Sequence, residues 1–135
     1  MRIYFDANMP RKLAHALNII QEALNFHENT DIEVISTVDV FGDNAPDEVW
    51  IPQVTNSIVI TQDYRIQRTK HQTDLYQQYG LCMVYLKPPS NKGMSFWEMT
   101  KVLINKWDEI RKLSKKSNFP AAYICKPKSK LKELE

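Results

Sequence analysis

The sequence predicts an α/β fold built on a short, mostly parallel sheet of four to five strands, with helices on both faces. Three observations carry that expectation. Apolar runs rich in β-branched residues, such as Ile58-Val59-Ile60, stop abruptly at polar residues, as strands buried on both faces do. These runs alternate with segments of helical period, which implies parallel strands joined by right-handed crossovers. The 135 residues are enough for one domain with its own core.

Composition is that of an ordinary globular chain, 43% hydrophobic and 25% charged. No apolar run approaches the ~20 residues that cross a bilayer. Met1 leads straight into a strand-like run, so no signal peptide is expected and the expected location is cytoplasmic. Cys82 and Cys125 lack metal-ligand spacing and lie in apolar segments. Buried free thiols in a reducing compartment are expected, although the sequence is also compatible with a disulfide between them. The net charge of +2 conceals an asymmetry: residues 1–100 hold 8 Lys+Arg against 12 Asp+Glu, residues 101–135 hold 10 against 4. A basic end attracts phosphate backbones; it is equally what a solvated, frayed terminus looks like.

Taken in order, residues 2–6 read as the first strand. A helix follows over about 10–26, with Pro10 in its first turn and Leu13, Ala16, Leu17, Ile20, Ala23 and Leu24 on one face. His27 to Asp31 ends it. Residues 32–36 form a second strand, and a loop runs from Thr37 to Pro46. Asn44 suits an N-cap for a short helix opened by Asp47 and Glu48, with Val49, Trp50 and Val54 as apolar contacts and Pro52 as distortion. Ser57 to Thr61 is the third strand. Residues 64–79 read as an exposed helix whose apolar face is Leu75, Tyr76 and Tyr79, capped by Gly80. Residues 81–86 are a buried fourth strand. The longest helix, over 95–114, presents Phe96, Met99, Val102, Leu103, Trp107, Ile110 and Leu113. Residues 121–125 make a fifth, edge strand, and residues 126–135 a basic, flexible tail.

Three acidic loci stand out: Asp6, Asp47 with Glu48, and Asp63. Two follow strands and one opens a helix. In a parallel sheet, strand C-termini and helix N-termini share one rim, so loci 41 and 16 residues apart in sequence can converge there. Crowded carboxylates repel and need a cation. Hard oxygen donors suit Mg²⁺ or Mn²⁺, which would activate a water and neutralise a phosphoryl oxygen. The plainer alternatives are turn residues for Asp6 and Asp63 and helix-dipole partners for Asp47 and Glu48. Repetition of the same strand ending at two apolar strands favours the site. Asn8 could hydrogen-bond a substrate phosphate, orient Asp6 or cap the first helix, with the cap the favoured expectation and the amide still close to the site. Thr61 could donate to a carboxylate or a metal-bound water at the substrate site, although a Thr at a strand end is also unremarkable. Arg65, Arg68 and Lys70 would project near the acids and hold a polynucleotide's phosphates. His15, His27 and His71 have no ligand spacing. The tryptophans and Phe96 read as packing residues rather than base-stacking platforms. With only three glycines there is no glycine-rich phosphate loop.

Phe5-Asp6-Ala7-Asn8-Met9-Pro10, Ala45-Pro46-Asp47-Glu48-Val49-Trp50-Ile51-Pro52 and Val59-Ile60-Thr61-Gln62-Asp63-Tyr64-Arg65-Ile66 resemble, in that order and spacing, the PIN-like domains, more narrowly the small group related to VapC toxins. The resemblance covers residues 1 to about 125. It implies a three-layer α/β/α domain, metal-dependent endoribonuclease activity and the toxin role in a toxin–antitoxin pair. It makes Asp6 the first acid, Asp47 or Glu48 the second, with Asp47 favoured as ligand, and Asp63 the third. Many such nucleases carry a fourth acid shortly afterwards; Arg65 stands in that place here, which points to one firmly held ion.

The expected function is therefore an Mg²⁺- or Mn²⁺-dependent ribonuclease acting on RNA. An antitoxin protein and a second copy of the chain are the expected protein partners, with no membrane. A catalytically degenerate PIN-like scaffold that binds RNA or a protein is the alternative. A receiver-like phospho-acceptor domain using Asp6, Asp63 and Lys87 is a weaker one, because only one strand separates Asp63 from Lys87.

Overall fold

The computed structural model describes residues 1–62, 70–90, 92–115 and 118–134. Five parallel strands, β1 (Arg2–Phe5), β2 (Glu33–Ser36), β3 (Ile58–Gln62), β4 (Cys82–Leu86) and β5 (Ala121–Cys125), are joined on one edge by an antiparallel β6 (Lys132–Glu133). The order is β2-β1-β3-β4-β5-β6. The strands are central in proportion to their apolarity: every residue of β4 is buried, while β2 at the edge alternates.

The helices are α1 (Arg11–Glu28), α2 (Thr37–Phe41), α3 (Asp47–Trp50, continued by a 3-10 turn), α4 (described over Lys70–Gln78) and α5 (Phe96–Lys112). Each strand sends alternate side chains to two cores. Ile3, Phe5, Ile58, Ile60, Val84 and Leu86 meet α1 and α5 on one face. Tyr4, Val59, Met83 and Tyr85 meet Trp50 and Ile51 of the α3 region on the other, with Leu75, Tyr76 and Tyr79 packed against them. The result is the expected three-layer α/β/α sandwich, held by burial at ~1.5–3 kcal/mol per large aliphatic side chain.

Several local expectations change. The core face of α1 is Leu13, Ala14, Leu17 and Gln21, with Leu24 partly buried, whereas Ile20 is 43% exposed and Ala16 and Ala23 face solvent. The helix is turned because fully buried Gln21 accepts the indole N–H of Trp107 at 2.8 Å. That polar pair seats α1 against α5. Pro10 and Pro46 occupy the N-cap positions of α1 and α3, so Asp47 is the first residue of α3 and Asn44 does not cap it. The stretch 37–46 contains α2, tied to α1 by Asp39, which meets both Arg11 and His15. Val49 is 52% exposed, and Phe96 and Trp97 are 49% and 64% exposed, so these three are not core residues.

The C-terminal segment is not a loose tail over its described length. Leu134 N–H donates to Ala122 O at 2.7 Å and Leu131 N–H to Glu109 Oε2 at 2.9 Å. Leu131 packs on one core and Leu134 on the other, so β6 clips the edge of β5 from both faces. Cys82 and Cys125 are both free and buried. Cys82 pairs in register with Ala121 and Cys125 with Leu86. That offset separates the cysteines by ~13 Å along the strands, beyond disulfide reach.

Candidate active site

The sheet has one topological switch point. The connection from β1 leads to β2 on one side, and that from β3 leads to β4 on the other. Ligands of open α/β sheets bind in the crevice outside the carboxyl ends of such a strand pair. Asp6 is the first residue beyond β1 there, its N–H donating to Ile60 O at 3.1 Å. Ile3 and Phe5 belong to the α1–α5 core and Tyr4 to the α3 core. Period-2 alternation therefore puts Asp6 on the Tyr4 side, as it puts Thr61 on the side of Val59. Trp50 of α3 lies in that same core, so α3 packs on the face of the sheet to which Tyr4 and Val59 point.

Asn8 clamps the crevice rather than capping α1. Its Nδ2 donates to Gln62 O at 3.0 Å, and its Oδ1 accepts from Thr61 Oγ1 at 3.0 Å and Gln62 N at 3.1 Å. An amide side chain mimics a peptide group, so it satisfies strand-end backbone that the shorter β1 leaves open. Gln62 returns the bond from Nε2 to Asn8 O at 3.2 Å and also reaches Met99 Sδ at 3.0 Å. Asn8 N–H donates to Asp6 Oδ1 at 3.2 Å, orienting that carboxylate. α1 has no side-chain cap at all.

The second acidic locus is arranged by α4. Asp47 Oδ1 accepts from Trp50 Nε1 at 3.1 Å, and its Oδ2 accepts from Gln72 Nε2 at 3.2 Å. Glu48 Oε1 lies 2.9 Å from His71 Nε2. Its carboxyl is held below the ordinary range, first by its own backbone N–H and then by His71. The two acids thus differ. Asp47 is oriented by neutral donors that leave its charge uncancelled, whereas Glu48 has a partner able to carry a positive charge.

Asp6 and Asp47 offer the hard oxygen donors that suit a divalent cation; Asp6 accepts from Asn8 N–H, and Asp47 from the N–H groups of Trp50 and Gln72. Among the described residues, no three His, Cys, Asp or Glu side chains form a metal cluster. Asp63, Arg65 and Arg68 lie outside the described residues, as does the side chain of Lys70 at the start of α4. The residues that sequence reasoning passed over are Trp50, Gln62, His71 and Gln72. Only Trp50 left a signal, standing three residues after Asp47 at a helix start. A cleft of about 480 Å³ lies elsewhere, floored by Leu81, Met83, Ala121 and Ala122, and none of these acids lines it.

No helix among the described residues is long and apolar enough to cross a membrane. No curated protein and no solved structure matches the chain. The family described as the PIN like domain matches residues 1–88, which run from β1 to just beyond β4 and include all three acidic loci. The chain belongs to the PIN-like domain family.

Proposed function

We propose that this chain is an Mg²⁺- or Mn²⁺-dependent endoribonuclease, the toxin of a toxin–antitoxin pair, acting in the cytoplasm. PIN-like domains are generally nucleases, hydrolases that work with divalent metals. The observation that supports the reading is Asp6 at the switch point beyond β1, with α3, which Asp47 opens, packed on one face of the same sheet and Asp47 oriented by the N–H groups of Trp50 and Gln72. Asp6, Asp47 and Asp63 would hold the metal, with Glu48 in support. The ion, when bound, would supply an activated water and neutralise charge on a phosphoryl oxygen. Asn8 and Thr61 keep the ends of β1 and β3 together at the crevice, and a carboxylate oxygen of the acid set would take the water's proton. Arg65, Arg68 and Lys70 would hold the RNA phosphates. An antitoxin, or a second copy, would find apolar side chains in Ile19 and Phe26, which stand 68% and 86% exposed on the outer face of α1.

The degenerate-scaffold reading draws on two observations: Arg65 replaces the expected fourth acid, and Glu48 is engaged by His71. Calorimetric Mn²⁺ titration of the wild type and Asp6→Asn separates the two. A catalytic site gives binding that Asp6→Asn loses; no heat in either protein supports the scaffold. The receiver-like reading loses its support, since the family match and the acids opening α3 have no place in it. Strand order alone does not decide, because flavodoxin-like sheets share it. The toxin role is tested by expression in cells: the wild type should arrest growth and Asp63→Asn should not, at equal levels of folded protein. Arrest by both proteins would remove Asp63 from the site.

A further inference from the structure

α1 carries two apolar faces. Leu13, Ala14 and Leu17 are buried on one of them. On the opposite side Ala16, Ile19, Ala23 and Phe26 recur at steps of three, four and three residues, the spacing of a helix–helix seam. All four are exposed, Ile19 by 68% and Phe26 by 86%. A surface helix ordinarily turns charge to solvent there, and one that is apolar all round is covered all round. The same layer holds Trp97 and Ile104, seven residues apart on one exposed stripe of α5. Arg111, seven further along that stripe, reaches Glu28 of α1 at 2.6 Å, so the stripe borders α1. Among the described residues, six of the nine exposed large apolar side chains lie on α1 and α5; Met1, Val40 and Val49 lie elsewhere.

The sizes of the seam residues indicate what covers them. Small and large alternate along it, and a close-packed contact sets large against small. A two-fold contact sets residue i against j and j against i. Laid antiparallel on its own copy, with the axis passing near Gln21, α1 places Ile19 on Ala23 and Phe26 on Ala16, each pair occurring twice. A parallel pairing would instead stack Ile19 on Ile19, Phe26 on Phe26 and Lys12 on Lys12. The antiparallel register also carries Lys12 to the far end of the other α1, beside Asp31. Both side chains are exposed, and neither enters an ion pair among the described residues. Such a charge pair at the edge of a contact sets register more than affinity.

We propose that a second copy of this chain covers the outer face of α1, the two α1 helices packing antiparallel with Ile19 against Ala23 and Phe26 against Ala16. Ile104 of α5, 51% exposed, flanks the seam and widens the contact. From Lys12 to Thr30 the seam is ~27 Å long. A helix pair of that length buries less than the ~800 Å² per partner of a standard interface, so the dimer is weak and depends on concentration. Trp50 of α3 and Leu75, Tyr76 and Tyr79 pack on the other face of the sheet, which the dimer leaves open. The proposal therefore stands apart from the nuclease reading.

Sedimentation equilibrium of the full chain over a wide concentration range tests the assembly. The wild type should pass from monomer to dimer as concentration rises. Ile19→Asp sets an unpaired carboxylate in the seam and should raise the dissociation constant about tenfold or more. Val49→Asp, at an exposed apolar site on α3, should leave it unchanged. Oxidised mixtures of variants with one added cysteine read the register, since Cys82 and Cys125 are buried. Ile19→Cys mixed with Ala23→Cys, and Phe26→Cys mixed with Ala16→Cys, should give far more crosslinked dimer than any of these proteins alone. A wild type that stays monomeric, or a dimer that Ile19→Asp leaves intact, would overturn the proposal and leave the face to a different protein. Crosslinking of Ile19→Cys with Ala16→Cys in preference to Ala23→Cys would overturn the register. A dimer that cuts no RNA in Mn²⁺ would overturn the nuclease reading alone.

Discussion

At the scale of single residues, the site depends on side chains that do no chemistry. Trp50 and Gln72 are the clearest cases, since between them they engage both oxygens of Asp47. Groups of this kind set the direction of a ligand's lone pairs, and their loss characteristically costs 10- to 100-fold in metal affinity. Trp50→Phe keeps an aromatic ring in the core but removes the indole N–H. Mn²⁺ affinity should fall about tenfold while the far-ultraviolet circular dichroism stays native; unchanged affinity would mean that Asp47 is not a ligand. Asp6 was visible in the sequence because a strand-end carboxylate after an apolar run is a local pattern. The work of Asn8 was not, since its partners Thr61 and Gln62 lie more than fifty residues away and only the parallel register brings them close. Gly80 was legible for the right reason: it adopts φ +70, and a Cβ there would meet Asn56 Oδ1 at 2.6 Å.

At the scale of elements, periodicity found every long helix and all five parallel strands, but it misjudged which face of α1 is buried. Hydrophobicity alone favours Ile20 over Gln21. The fold chooses Gln21 because Trp107 of α5 needs an acceptor, and a buried unpaired indole N–H is expensive. Gln21→Ala removes that acceptor and leaves a void, so it should lower unfolding free energy by about 2–4 kcal/mol. Equilibrium urea denaturation measures this, and a loss below about 1 kcal/mol would show that the pair does not seat α1 on α5. The start of α5 agrees with the helix expected over 95–114, and the structure shows why it begins there: Ser95 and Glu98 form a reciprocal capping box. β6 was not legible, because a two-residue strand amid lysines has no apolar pattern. Its position follows from Leu131 and Leu134 straddling the sheet edge.

At the scale of the molecule, charge is organised rather than spread. Asp6 lies at the switch point, lysines that form no ion pair among the described residues leave the ends of β4 and β5, and paired charges tie elements together elsewhere. Arg111 joins Glu28 of α1 to Asp108 of its own helix, at 2.6 Å in each case. Asp39 joins α2 to α1 through His15 and Arg11. The carboxyls of Glu28, Asp108 and Asp39 are all held below their ordinary values, by hydrogen bonds from Arg111 in the first two and foremost from His15 in the third. A lowered carboxyl stabilises fully above its unfolded value, ~4, and that contribution is lost as pH falls through the folded value. The thermal midpoint should therefore be nearly flat from pH 7 down to about 5 and drop only below about 4. A decline beginning near pH 6 would contradict this assignment to the paired carboxylates. Burial pushes the Cys125 thiol up to about 12, so it stays protonated and unreactive at neutral pH.

These scales meet in the claim that a metal-dependent nuclease site lies at the β1–β3 crevice. Incubating purified protein with total RNA in Mn²⁺, comparing wild type, wild type with chelator, and Asp6→Asn, tests it most directly. The account predicts cleavage by the wild type that chelator abolishes, and loss of at least a hundredfold in rate for Asp6→Asn with its fold intact. Cleavage that survives both chelator and Asp6→Asn would contradict it.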